Sequence, residues 1–181
     1  MRSKCSEVIS HLVESFTAYY HDKGYPHHEL HDARTKELVK ILSILHQHQV
    51  AISCEPCSSS GVEGKARAFL QTSPYLQITL CENRLRSERA VKEALLHESI
   101  HAYDSLHHID LTTPQGLVYS EVRANREAEC GDSLKLFNTY CTKKKAHQAA
   151  NNILNDSALT QQCLDQVFEQ AMQDRRPWSD S

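Results

Sequence analysis

Apolar residues recur at intervals of three and four along much of this chain, which is the spacing of amphipathic helices. The pattern predicts one helix over residues 7–20. A second helix is expected after a capping Asp32, with core positions at Leu38, Ile41, Leu42 and Leu45. The final third of the chain is also predicted to be helical, because one stripe carries Leu159, Cys163, Val167 and Phe168.

Three short segments between these helices are typical of β-strands. Residues 50–54 form a brief apolar run, and residues 65–71 and 75–80 flank a turn near Pro74. A further helix is predicted over residues 86–107, and the breakers at residues 112–116 separate it from another that should begin near Tyr119. This order of elements predicts an α+β fold.

The helix predicted over residues 86–107 carries the most informative feature of the chain. No Gly or Pro interrupts it, and Ser87 is placed to cap its N-terminus. His97, His101 and Asp104 recur at three- and four-residue steps on its small-residue face. Two histidines four residues apart on a helix can both reach one metal ion at about 2.0–2.1 Å.

Residues 97–101 read His-Glu-Ser-Ile-His, which fits the HExxH pattern of zinc peptidases. His97 and His101 would be metal ligands. Glu98 lies one step round the helix and would act as a base, taking a proton from the attacking water. The motif therefore predicts one zinc ion per chain and lacks only a third protein ligand. The alternative is a helix with two surface histidines and a charge between them.

Two residues are candidates for the third ligand. His107 has the position used by the longer HExxHxxGxxH pattern, but Asp104 replaces the Gly at which that chain turns back. On a continuing helix, His107 would lie about 9 Å beyond His101 along the axis. Glu121, on the next predicted helix, is favoured, because alanines on nearly the same face would let the two helices approach closely. The alternative is that Glu121 is an ordinary surface acid.

Asp104 is predicted to support the metal site without binding the ion. It lies one turn beyond His101 on the same face. Metal-bound imidazoles usually donate their second N–H to a carboxylate or a carbonyl. The alternative is a solvated aspartate near the end of a helix.

Length, charge and hydropathy restrict the class of protein. With 181 residues the chain can bury its own core, and a single metallopeptidase domain over residues 1–181 is expected. The formal net charge of −3 gives no electrostatic reason to expect nucleic acid as a partner. The apolar stretches fall far short of the ~18 residues of a transmembrane helix, and no secretory signal is recognised. Any membrane role should therefore be peripheral.

Seven cysteines are many for a reducing compartment, and the odd number leaves at least one unpaired or joined to another chain. Cys54 and Cys57 form a CxxC pair, which could bind a second metal, close a local disulfide or pair with distant cysteines. No second CxxC exists for a tetrathiolate site, and a loop rather than a helix follows the pair. Disulfides in an oxidising compartment are the favoured interpretation.

Together these motifs resemble those of the mitochondrial ATP synthase-assembly metalloproteases of the Atp-twenty-three type. Residues 97–104 are similar to that family's HExxHAxD motif, and residues 120–124 to its Ser-Glu-Ile/Val-Arg-Ala element. The CxxC pair and residues 80–83 and 175–178 match in the same order, so the resemblance covers about residues 50–178. Tyr119 and Ala171 stand where the family usually has cysteines, so its disulfide set does not transfer whole.

The element order resembles the zincin arrangement, with a small sheet packed on the HExxH helix. The family resemblance implies a zinc endopeptidase of the mitochondrial intermembrane space, peripheral on the inner membrane. Its partner would be a protein substrate, the precursor of a hydrophobic ATP synthase subunit, and it would aid assembly of the membrane sector. One alternative is a chaperone that holds such a subunit without cleaving it. A purely structural zinc domain would need four protein ligands.

The compartment implied by this resemblance carries an expectation for the cysteines. Intramolecular disulfides should engage Cys54 and Cys57. One cysteine should remain free, and Cys5 is the expected one because it lies outside the family-like region.

Overall fold

The computed structural model describes residues 3–21, 33–60, 64–131 and 135–179. The chain clusters into two compact units, Met1–Ser99 and Ile100–Ser181. The single metallopeptidase domain expected over residues 1–181 stays a prediction.

The described residues of the first unit form two helices, then a small sheet and then the beginning of a third helix. Helix α1 spans Lys4–His21 and helix α2 spans Ala33–Gln47, and the two pack against each other. The predicted core positions of α2 are buried, as the pattern required: Leu38, Ile41, Leu42 and Leu45. Asp32, the expected cap of this helix, lies outside the described residues.

The sheet has three strands: β1 (Ala51–Glu55), β2 (Ala68–Gln71) and β3 (Gln77–Cys81). Strand β3 lies in the centre, parallel to β1 and antiparallel to β2. It is also the most buried strand, because no side-chain surface of Ile78, Leu80 or Cys81 remains exposed. The three strand predictions and the α+β class are confirmed, whereas the zincin arrangement stays a prediction.

In the described part of the chain, a short 3₁₀ turn at Glu82–Arg84 is followed by four helices: α3 (Glu88–Leu106), α4 (Pro114–Glu127), α5 (Lys135–Leu154) and α6 (Ser157–Gln173). The predicted cap of α3 is confirmed, because the Ser87 hydroxyl accepts a hydrogen bond from the Ala90 N–H at 3.2 Å. None of the helices in the described residues is long and apolar enough to cross a membrane.

The start of α4 corrects the sequence analysis, which placed it near Tyr119. The helix begins at Pro114, with Thr113 as its N-cap accepting a hydrogen bond from the Gly116 N–H at 3.1 Å. Proline is favoured in the first turn because it has a suitable φ and no N–H to leave unpaired. Residues 112–116 were therefore interpreted as a breaker although they start a helix.

The core of the second unit is formed by α4, α5 and α6. Three α4 residues, Val118, Tyr119 and Val122, pack against small and apolar residues of the other two helices: Ala146, Ala150, Cys163, Leu164, Phe168 and Ala171. The predicted stripe on α6 is confirmed, with Leu159 and Val167 partly buried at its margin. All of α4 from Leu117 to Arg126 is buried, so its polar side chains also need partners inside the protein.

Three disulfides cross-link the described residues: Cys5–Cys54, Cys57–Cys81 and Cys130–Cys141. Disulfide engagement of Cys54 and Cys57 is therefore confirmed. The choice of Cys5 as the free cysteine was wrong, because the fold brings α1 to the strand that carries Cys54. The free thiol is that of Cys163, which is buried in the α6 core.

Candidate metal centre

The structure brings together the three residues that the sequence analysis selected as metal ligands. One ligand atom from each of His97, His101 and Glu121 lies within 4.8 Å of the other two. His101 Nε2 is 3.6 Å from Glu121 Oε1. Two ligands of a tetrahedral zinc ion with bonds of about 2.1 Å are separated by about 3.4 Å. The spacing of these two atoms therefore suits a shared ion.

The donor set also fits a zinc ion. Two imidazole nitrogens and one carboxylate oxygen are the protein ligands of many catalytic zinc sites, which keep a fourth position open. Within the described part of the chain this cluster offers three ligands, one fewer than a structural zinc site would use. Glu98, the proposed base, directly follows His97 on α3, and its side chain is buried, with 9% of its surface exposed.

A series of hydrogen bonds that begins at Nδ1 orients the His101 ring. His101 Nδ1 is 2.7 Å from the Ser120 hydroxyl, which donates its proton to Asp104 Oδ2 at 2.7 Å. Because a hydroxyl has one proton to give, Ser120 must accept from a protonated Nδ1. In this tautomer Nε2 carries the lone pair that can bind a metal ion.

Asp104 therefore reaches His101 through the Ser120 hydroxyl rather than by direct contact, and its support of a metal site stays a prediction. Ser120 was not among the site residues predicted from the sequence. Its position directly before Glu121 was the available signal, since both residues had already been noted in one motif.

Glu121 is held by a second residue that the sequence analysis missed. The Asn125 side-chain amide donates to Glu121 Oε2 at 3.0 Å and to the Glu121 carbonyl oxygen at 2.9 Å. Oε2 is occupied in this way, and Oε1 faces His101. The spacing of four residues on one helix could have indicated this pair.

His107, the other candidate for the third ligand, lies elsewhere. It is exposed, and its Nδ1 is 2.8 Å from the Tyr103 carbonyl oxygen. Its ring stacks on the Tyr103 ring with centroids 3.9 Å apart. His107 does not belong to the cluster formed by the three candidate ligands.

Buried charged residues lie next to Asp104, beyond the candidate metal centre. Arg123 is 1% exposed and forms an ion pair with Asp104, while its Nε is 3.5 Å from Asp174 Oδ2. Burial lowers the pKa of Arg123 to about 10, against the opposing charge of Asp174, so Arg123 stays protonated at neutral pH. Burial also acts to raise the pKa of Asp174, but hydrogen bonds from Arg176 and Tyr119 outweigh it and hold that pKa well below its usual value.

The chain belongs to the peptidase M76 family, whose model matches residues 26–179. Among curated proteins, it is 32% identical over 141 residues to the mitochondrial inner membrane protease ATP23 homolog of Homo sapiens, covering 70% of this chain and 54% of that protein. It is 29% identical over 151 residues to the mitochondrial inner membrane protease ATP23 of Eremothecium gossypii, covering 75% and 58%.

A third relative, the mitochondrial inner membrane protease atp23 of Schizosaccharomyces pombe, is 27% identical over 141 residues, covering 70% of this chain and 72% of the relative. The chain thus spans little more than half the length of the two relatives named first. No solved structure matches the chain significantly.

Proposed function

We propose that this chain is a zinc-dependent endopeptidase. The observation that carries the proposal is the convergence of His97, His101 and Glu121 within 4.8 Å, with Glu98 next to a ligand on the same helix. Membership of the peptidase M76 family supports the same reaction. So do the protease names of the relatives.

The roles of the residues follow from their chemistry. His97, His101 and Glu121 hold the ion, and Ser120 and Asp104 keep His101 in the tautomer that has its lone pair on Nε2. When bound, zinc polarises the scissile carbonyl and lowers the pKa of water toward about 7. Glu98 takes the proton of the attacking water and gives it to the leaving amine.

The substrate and the place of action are part of the proposal. The substrate is the precursor of a hydrophobic ATP synthase subunit, as the resemblance of residues 97–104 and 120–124 implies. The chain works in the mitochondrial intermembrane space, peripheral on the inner membrane.

The decisive experiment replaces the proposed base while keeping its shape. Glu98→Gln should retain the metal and the fold but lose roughly 10²- to 10⁴-fold in turnover, because an amide cannot take up the proton. Zinc content is measured by elemental analysis and cleavage on candidate precursors. Glu169→Gln, the same substitution at an exposed position of α6, is the matched control and should behave like the wild type.

Two results would count against the peptidase mechanism. Near-normal turnover by Glu98→Gln would exclude Glu98 as the base. Equal binding of the precursor by wild type and variant, with cleavage by neither, would favour the chaperone alternative.

A further inference from the structure

The segment that follows α6, here called the C-terminal segment (residues 174–179), is joined to helix α4 by buried polar contacts. Three buried α4 side chains reach it: Tyr119, Arg123 and Arg126. Their spacing of four and three residues places them on one face of α4. A fourth, Glu127, forms a longer ion pair of 4.0 Å with the exposed side chain of Arg175. Residues 175–178 were identified from the sequence only as part of a motif, and they have no role in the proposed peptidase mechanism.

Arg126 fixes the end of α6 to α4. Its guanidinium donates to the Ala171 and Met172 carbonyl oxygens at 2.6 and 2.9 Å and to the Asp174 carbonyl oxygen at 2.6 Å. Carbonyls at the end of a helix lack partners within the helix. Because Arg126 is 2% exposed, these contacts are shielded from water and set where the C-terminal segment begins.

Arg123 connects this segment to the metal centre. On one side it donates to the Arg176 carbonyl oxygen, and its Nε is 3.5 Å from Asp174 Oδ2. On the other side it pairs with Asp104. A buried guanidinium needs partners that match its fixed geometry, so moving the partners on one side also disturbs those on the other.

Asp174 is in turn held in one position. The Tyr119 hydroxyl donates to its Oδ2 at 2.8 Å, and the Arg176 side chain donates to both carboxylate oxygens at 3.0 and 2.7 Å. The connected contacts therefore run from Asp174 through Arg123, Asp104 and Ser120 to His101.

We propose that the C-terminal segment is a structural part of the metal centre, with Asp174 and Arg123 as positioning residues for His101. They hold the Asp104 carboxylate where it accepts from Ser120, and Ser120 in turn keeps the His101 imidazole oriented toward the ion. The proposal rests on the proposed function, because it takes His101 to be a ligand. Loss of an outer partner of a metal ligand typically weakens metal binding by about 10- to 100-fold.

The test measures zinc affinity rather than catalysis, by competition with a chromophoric chelator on the full chain. Asp174→Asn should bind zinc about tenfold more weakly than the wild type. The visible spectrum of the cobalt-substituted protein should shift, because the ligand geometry changes. Asp165→Asn, the same substitution at an exposed position of α6, is the control and should match the wild type.

A second variant keeps the test valid if Asp174→Asn does not fold. Arg176→Gln removes donors to Asp174 from a side chain that is 42% exposed, so it leaves no new buried group in place of the arginine. It should also weaken zinc binding and shift the cobalt spectrum. Circular dichroism melting reports the fold of each variant.

A double substitution tests the route through Ser120. If Asp174 acts through Ser120, the variant Ser120→Ala/Asp174→Asn should lose no more affinity than Ser120→Ala alone. If instead the double variant loses zinc affinity by the product of the two single losses, the proposal is overturned. Wild-type zinc affinity and cobalt spectra in folded Asp174→Asn and Arg176→Gln would also overturn it, even if both melt at lower temperature. Failure of the wild type itself to bind zinc would instead overturn the proposed function.

Discussion

At the scale of single residues, Glu121 is the proposed ligand whose placement depends most on the rest of the fold. The two histidines share one helix, so the helical repeat alone brings them together. Glu121 comes from α4, and Asn125 leaves only Oε1 facing His101. The position of this carboxylate is therefore the strictest requirement of the proposed metal centre.

We expect Glu121→Ala to lose stoichiometric zinc and Glu121→Gln to bind it much more weakly, because an amide oxygen carries no charge. His107→Ala should bind zinc normally, since His107 contacts Tyr103 instead. Elemental analysis after dialysis against a weak chelator measures the difference. Normal zinc content in Glu121→Ala together with loss in His107→Ala would reverse the choice of third ligand.

The residues that the sequence analysis found and those that it missed differ in a physical way. His97 and His101 follow the period of an amphipathic helix, so their common face could be predicted. Ser120 and Asn125 lie on a helix that is buried over its full middle part, and such a helix has no polar face that reveals itself by periodicity. The partners of Ser120 lie on α3 and are set by the packing of α4, which only the structure shows. Asn125 bonds to Glu121 on its own helix, so its spacing of four residues was the one signal available.

At the scale of elements, the N-terminus of α4 determines where Glu121 lies. The Asp110 carboxylate accepts from the Thr112 N–H and hydroxyl, and Thr113 donates to the Asp110 carbonyl oxygen while capping the helix. Gly116 lies against this turn, so a Cβ there would lie 2.0 Å from the Asp110 carbonyl oxygen. This close approach could not be predicted from the sequence, in which the glycine was interpreted as a helix breaker.

The close approach of Gly116 to Asp110 can be tested by whether Gly116→Ala raises or lowers the free energy of unfolding. In an open helical position, Gly→Ala stabilises by roughly 0.5–1 kcal/mol. Gly116→Ala should instead lower the free energy of unfolding by about 1–3 kcal/mol, because the methyl group meets backbone that must shift. Gln115→Ala, an exposed neighbour in the same turn, is the control and should be close to neutral. Stabilisation by Gly116→Ala in chemical denaturation would show that the turn is open.

At the scale of the whole molecule, each compact unit contains its own covalent cross-links. Cys5–Cys54 and Cys57–Cys81 lie in Met1–Ser99, and Cys130–Cys141 lies in Ile100–Ser181. The use of disulfides could be inferred from the number of cysteines, but their connectivity could not, because it depends on which elements meet in the fold. Cys163 shows why the unpaired cysteine could not be identified from the sequence. Its place on the apolar stripe of α6 suits a buried cysteine whether or not it is paired.

These cross-links predict both a labelling pattern and an order of stabilities. Alkylation of the denatured, unreduced protein should modify Cys163 alone, as seen by mass spectrometry.

The Cys5–Cys54 bond closes the longest loop, with a separation of 49 residues against 11 for Cys130–Cys141. In the loop-entropy model these bonds contribute about 4 and about 3 kcal/mol. Cys5→Ala/Cys54→Ala should therefore melt below Cys130→Ala/Cys141→Ala, and Cys163→Ala should keep all three bonds. Seven reduced cysteines in the native protein would contradict the disulfides and remove their support for the intermembrane space.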